Sequence, residues 1–170
     1  MSETVTVVTD GACSGNGRAG ARGGWAAIVL VPGRDEVVLT GGEAPSTNNR
    51  MELTAAIEGL RAAPAGSQVE LVTDSTYIAN AIAKGWLAGW QRKGWLTASR
   101  QPVANRELWE RMIEELARHR RVRPVLVRGH AGHPANERAD RLAQAAAQED
   151  HPPPPPVPSG RAGDQLGLGL

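Results

Sequence analysis

The chain has no phenylalanine and a single tyrosine. Its core must therefore be filled by Val, Leu, Ile and Ala, which suits a Val-rich sheet packed by Ala-rich helices. Cysteine is nearly absent too. Cys13 stands alone, so no internal disulfide can form, in keeping with a reducing compartment. No apolar run approaches the ~20 residues needed to span a bilayer. The opening residues, Met1-Ser2-Glu3-Thr4-Val5, lack the basic segment and apolar run of a secretory signal. The expectation is a soluble, cytoplasmic protein. Net charge is only +1 over 170 residues, so the chain as a whole does not announce a nucleic-acid binder.

What is present is unevenly placed. No acidic residue lies between Asp74 and Glu107, while Lys84, Arg92, Lys93, Arg100 and Arg106 fall in that interval. A second acid-free basic run holds Arg118, Arg120, Arg121, Arg123 and Arg128. Local fields of this kind steer charged ligands even when the total is near zero. The tail sets the clearest boundary. Pro152 to Pro156 cannot continue a helix and favour an extended polyproline conformation. Residues 1–150 read as one folded domain and 151–170 as a Pro/Gly-rich disordered tail.

Apolar periodicity gives the order of elements. Thr4 to Thr9 reads as a short Val-rich strand, Gly11 to Gly24 as a long Gly-rich turn, and Trp25 to Val31 and Glu36 to Thr40 as further strands. These short connections imply an antiparallel meander. From Thr47 to Ala62, Leu53, Ala56, Ile57 and Leu60 recur at helical spacing, with Ser46 or Thr47 as N-cap. Val69 to Thr73 is another strand. A helix from Ser75 to about Ala83, a Trp-rich basic segment, and an amphipathic helix over Glu107 to His119 follow. Val122 to Val127 is a last strand, at an edge because it contains Pro124, and Asn136 to Gln148 is an Ala-rich final helix. The later strands are joined by crossovers and should run parallel to a neighbour. The class is α/β: a five-stranded mixed sheet with helices packed on it.

Four carboxylates stand out against this frame. Asp10 and Asp74 each end an apolar strand, so parallel neighbours would bring both to the same carboxyl edge, where open α/β sheets bind ligands. Glu52 lies on the helix between them. Asp140 borders the buried stripe of the last helix, one turn after Asn136. Taken singly, each has an ordinary reading: Asp10 and Asp74 as turn or cap formers, Glu52 and Asp140 as solvated helix acids. Taken together they need a counter-charge, which Mg²⁺ supplies while also accepting phosphate oxygens. Two such ions roughly 4 Å apart suit phosphodiester cleavage.

The runs Thr9-Asp10-Gly11-Ala12-Cys13, Thr47-Asn48-Asn49-Arg50-Met51-Glu52-Leu53, Val72-Thr73-Asp74-Ser75 and Gly129-His130-Ala131-Gly132-His133-Pro134 through Asp140 closely resemble the motifs of bacterial type 1 ribonucleases H. They occur in that family's order, and the likeness covers about residues 3 to 148. The resemblance implies a ribonuclease H-like fold and an endonuclease that hydrolyses the RNA strand of RNA–DNA hybrids, leaving 5'-phosphate and 3'-hydroxyl ends. It implies Asp10, Glu52, Asp74 and Asp140 as ligands of Mg²⁺, with Mn²⁺ as a substitute and two ions present with substrate. It implies His130 as a loop histidine aiding proton transfer or product release, whereas His133 reads as structural.

Substrate contacts follow the same resemblance. Asn16, Asn48 and Asn49 match minor-groove contacts to the RNA strand, where an amide can both donate to and accept from a 2'-hydroxyl. Cys13 matches a further contact, and Thr47 and Asn105 match a pocket for a DNA phosphate. In Lys84 to Trp95 aromatics alternate with cations, a combination that suits a nucleic-acid groove. There Trp86 and Trp90 are expected to flank the DNA strand beside Arg92 and Lys93, while Trp95 and Trp109 belong to the core. Departures are Gln91 where relatives carry Lys, Thr76 where many carry Gln, and a longer loop holding Arg18 and Arg22. The alternatives are a catalytically silent hybrid-binding module and a related-fold DNA exonuclease. The partner is an RNA–DNA hybrid; no membrane and no obligate protein partner are implied, and a monomer is expected.

Overall fold

The computed structural model describes residues 3–15, 19–128 and 132–156. Strands β1 (Thr4–Ser14), β2 (Arg22–Leu30) and β3 (Val37–Glu43) come first, followed by helix α1 (Asn48–Ala62) and strand β4 (Gln68–Thr73). Then come α2 (Thr76–Ala83), α3 (Trp86–Arg92), α4 (Arg106–Arg118), β5 (Arg121–Leu126) and α5 (Pro134–Ala147). The five strands form one sheet in the order β3-β2-β1-β4-β5. Pairs β1–β2 and β2–β3 are antiparallel, and β1–β4 and β4–β5 are parallel. The mixed sheet and the edge position of the Pro124 strand agree with the sequence reading.

Alternation along the strands sorts two cores. Val5, Val7, Val29, Val69 and Leu71 face a cluster with Leu53, Ile57 and Leu60 of α1, Ile78 of α2 and Trp109 of α4. Their neighbours Val8, Ile28 and Val72 face the other way, against Ala139 of α5. Period-two side-chain placement requires this division. Trp109 is fully buried and takes the volume that Phe residues would otherwise fill. Truncating it to Ala should cost roughly 3–5 kcal/mol.

One expectation is corrected. Gly11 to Gly24 is not one long turn, because β1 runs on to Ser14 and β2 starts at Arg22. The glycines serve close packing instead. A Cβ on Gly24 would lie 2.2 Å from the Ala143 carbonyl oxygen of α5, and one on Gly23 would lie 2.8 Å from the Met51 sulfur of α1. With hydrogen in those places, both helices settle onto the strands. At the domain's end Asp150 pairs with Arg22, and the first tail residue packs back, His151 Nε2 lying 2.6 Å from the Ala146 carbonyl oxygen.

Candidate active site

Parallel pairing aligns the ends of β1 and β4. Val8 is in register with Val72, so Asp10 and Asp74 each stand two residues beyond a matched pair. Thr9 Oγ1 donates to the Val72 carbonyl at 3.3 Å and ties the strand ends together. Asp74 is followed by Ser75, whose hydroxyl caps α2 by accepting from Ile78 N. At the end of β4 the chain therefore turns abruptly into α2, and both Asp residues stand at the sheet rim.

Glu52 reaches that rim because residue 11 is glycine. A Cβ there would lie 2.5 Å from Glu52 N and 2.6 Å from the Met51 carbonyl carbon, inside any tolerable contact. The missing side chain lets α1 press its backbone against β1. Helix α1 begins where it does because Thr47, its N-cap, accepts a hydrogen bond from Arg50 N at 3.2 Å. One carboxylate oxygen from each of Asp10, Glu52 and Asp74 consequently lies within 4.8 Å of the other two.

The electrostatics of this cluster are unfavourable for bare carboxylates. Asp10 is 2% exposed and Glu52 9%, and Asp10 Oδ2 and Glu52 Oε2 are buried with no hydrogen-bond partner. Burial raises the Asp10 carboxyl from 3.8 to about 7; Glu52 and the Gly11 N–H act against that rise, whereas Asp74 and Asp140 add to it. Burial, then the charges of Asp10 and Asp74, push Glu52 well above its ordinary value as well. Gly11 N donates to Asp10 Oδ1 at 2.9 Å and partly compensates. All-oxygen donors, two of them buried with unmet capacity, fit a hard divalent cation.

Asp140 approaches from α5 and helps to raise the Asp10 carboxyl, although it stands outside the tight trio. Its Oδ2 also accepts from Gln144 Nε2 at 3.0 Å. His133 is the N-cap of α5, its Nδ1 accepting from Asn136 N at 3.1 Å, which agrees with the structural role expected for it. His130 and Asn16 lie outside the described residues.

The family model for RNase H matches residues 2–148. The chain belongs to the ribonuclease H family. Curated ribonucleases H of Thermus thermophilus (51% identical over 144 residues, covering 85% of this chain and 84% of that one) and Nitratidesulfovibrio vulgaris (54% over 143 residues, 84% and 88%) place it with the bacterial type 1 enzymes, as a hydrolase. Among solved structures, LC9-RNase H1, a type 1 RNase H with the type 2 active-site motif, superposes with a TM-score of 0.70 at 34% identity, covering 86% of this chain and 73% of that one. A foamy viral protease-reverse transcriptase in complex with RNA/DNA hybrid shares the fold, with a TM-score of 0.74 at 18% identity over 85% of this chain and 20% of its own.

Around the carboxylates of this ribonuclease H, the remaining expected residues fall into two groups. Cys13 is half-buried near the end of β1, and Asn48 and Asn49 are exposed on the first turn of α1. Trp86 and Trp90 are half-buried on α3, packed against Tyr77 at ring distances of 6.2 and 6.3 Å. They also line a groove of about 320 Å³ with Lys93, Leu96 and Thr97. Arg92 and Lys93 are exposed in the same segment. Trp95 and Trp109 are buried, as expected. Asn105 holds a left-handed backbone (φ 60°) at the start of α4, and its Oδ1 accepts from Arg50 Nη1 at 3.3 Å.

Two residues have a role that sequence patterns did not reveal, and a third stands out by its burial. Gly11 reads locally as the start of a turn. Arg50 sits inside a recognised run without a role of its own. Asn136 is fully buried, one turn before Asp140, with both side-chain amide atoms unpartnered. A buried polar residue inside an Ala-rich helix is the signal that could have marked it.

Proposed function

We propose that this chain is an endonuclease that hydrolyses the RNA strand of RNA–DNA hybrids with divalent metal, leaving 5'-phosphate and 3'-hydroxyl ends. The observation that carries the reading is the convergence of Asp10, Glu52 and Asp74, which bring one oxygen each within 4.8 Å of the other two although they come from separate parts of the chain. Asp10, Glu52 and Asp74 would hold Mg²⁺ or Mn²⁺, and Asp140 would complete the set when substrate brings a second ion. Bound there, the cation supplies positive charge to the scissile phosphate and acidifies an attacking water.

The protein's own groups do the rest. Gly11 N–H fixes Asp10 Oδ1, so the carboxylate is oriented before substrate arrives. His130 moves a proton at the leaving oxygen or eases product departure, as its near-neutral ordinary pKa permits. On one side Cys13, Asn16, Asn48 and Asn49 meet the RNA strand, the asparagine amides reading 2'-hydroxyls. On the other, Trp86 and Trp90 face deoxyribose, Arg92 and Lys93 meet phosphates, and Thr47 with Asn105 grips one DNA phosphate. Residues 1–150 form the catalytic unit, and the tail is dispensable for cutting.

The test is a substrate panel. With Mg²⁺, internal cutting of the RNA in a labelled hybrid, and of neither duplex DNA nor duplex RNA, is the expected result. Binding without cutting indicates a silent module, and end-wise degradation of DNA indicates an exonuclease; either refutes the proposal. Asp10→Asn should abolish cutting and leave hybrid binding largely intact.

A further inference from the structure

Arg50 makes no provision for a ligand of its own. Its side chain is 17% exposed, and its guanidinium is occupied by Glu43 at the end of β3 and Glu107 in the first turn of α4. Nε donates to Glu43 Oε1 at 2.6 Å, and that same oxygen accepts from Ser46 Oγ at 2.9 Å. Burial opposes the charge on Arg50, but its bonds to Glu43 and Glu107 outweigh burial and keep it protonated. With two carboxylates already neutralising it, the guanidinium is a poor phosphate ligand.

Two further bonds go to the side chains assigned to the DNA phosphate. The backbone N–H of residue 50 donates to Thr47 Oγ1 at 3.2 Å, a bond independent of the side chain there, whereas the guanidinium Nη1 donates to Asn105 Oδ1 at 3.3 Å. Each bond has a directional consequence. A threonine hydroxyl whose oxygen already accepts keeps its proton as the group to offer elsewhere. An asparagine amide whose carbonyl end is held by a guanidinium must present its –NH₂ end on the opposite side. Without Arg50 the two ends of that amide are nearly equivalent in shape, and either could face outward.

We infer that Arg50 is a positioning residue whose guanidinium orients Asn105 to donate, beside the Thr47 hydroxyl, to a single DNA-strand phosphate. The arginine fork joins β3, the start of α1 and the start of α4, so one side chain sets the spacing of elements far apart in sequence. Lysine cannot substitute, because a single ammonium does not span Glu43, Glu107 and Asn105 with fixed angles. The inference rests on the hybrid-cleavage reading and on Thr47 and Asn105 as its phosphate contacts.

The experiment scans a hybrid with one neutral methylphosphonate at each DNA-strand position in turn. Binding is measured for the full-length wild type, Arg50→Lys, Arg50→Met and Thr47→Ala. For the wild type, one position should weaken binding by about tenfold, the scale of a hydrogen bond to a charged group. Arg50→Lys should lose the Asn105 share of that discrimination and fall to about threefold, Thr47→Ala should lose the other donor to a similar extent, and the double variant should be nearly indifferent, within about twofold. KM for unmodified hybrid should rise about threefold in Arg50→Lys with kcat retained. Arg50→Met strands two carboxylates, so its thermal midpoint identifies misfolding, and the outcome for Arg50→Lys is decisive. An Arg50→Lys enzyme that keeps the full tenfold discrimination overturns the inference while the phosphate pocket stands. A wild type with no sensitive position overturns the pocket and the inference together.

Discussion

Replacing Asp10 with Asn should stabilise the metal-free protein, and increasingly so as pH rises. The fold carries this carboxyl from 3.8 to about 7, chiefly by burial and then through Asp74 and Asp140. Between roughly pH 4 and 7 the native chain keeps a proton that the unfolded chain has released. Stability therefore falls as pH increases through that window and levels off above it. At ~1.36 kcal/mol per pH unit the full penalty has an upper limit of about 4 kcal/mol, and water entry and relaxation reduce it to about 2–4 kcal/mol. Asparagine has the same shape and no charge, so it escapes the penalty. Thermal unfolding in chelator at pH 4.5, 6, 7 and 8 reads the difference. The midpoint of Asp10→Asn should match the wild type at the acid end and exceed it by roughly 5–15 °C at pH 8, given ~2–4 °C per kcal/mol for a chain of this size. Saturating Mg²⁺ should narrow the gap, because the cation binds the ionised native form selectively. A gap independent of pH, or a less stable variant at pH 8, refutes the claim that Asp10 is held at a cost.

Three further outcomes follow from the geometry. Gly11→Ala places a methyl against the α1 backbone at 2.5 Å, so it should lower stability by about 1–3 kcal/mol and cut turnover on hybrid roughly a hundredfold, read by urea unfolding and a cleavage assay. Arg92→Ala with Lys93→Ala should make the dependence of log affinity on log salt shallower, by about one for each phosphate no longer neutralised. An unchanged slope in a salt titration removes both from the interface. Trp90→Ala should weaken hybrid binding by about 1–3 kcal/mol, seen in a binding isotherm, and also lower the unfolding midpoint, because its ring packs at 5.3 Å on Trp109.

Much of this protein is legible in one dimension. Asp10 and Asp74 announce themselves because an apolar run stops at each, a pattern visible among chain neighbours. Helix α1 and its Thr47 cap are likewise readable from spacing within a few residues. Gly11 to Gly24 misleads because glycine signals a turn locally, whereas here Gly11, Gly23 and Gly24 answer to Met51, Glu52 and Ala143 on helices elsewhere in the chain.

Sequence alone determined which residues alternate, roughly where elements begin, and which acids end apolar runs, because those depend on contacts within a pleat or a helical turn. Tertiary structure decided how close α1 approaches β1, which carboxyls share buried space, and where the guanidinium of Arg50 is directed. Those properties depend on distances between elements, and the proton held on Asp10 depends on burial and charge summed over several of them. No local pattern encodes such sums; they exist only once the sheet is closed over by its helices.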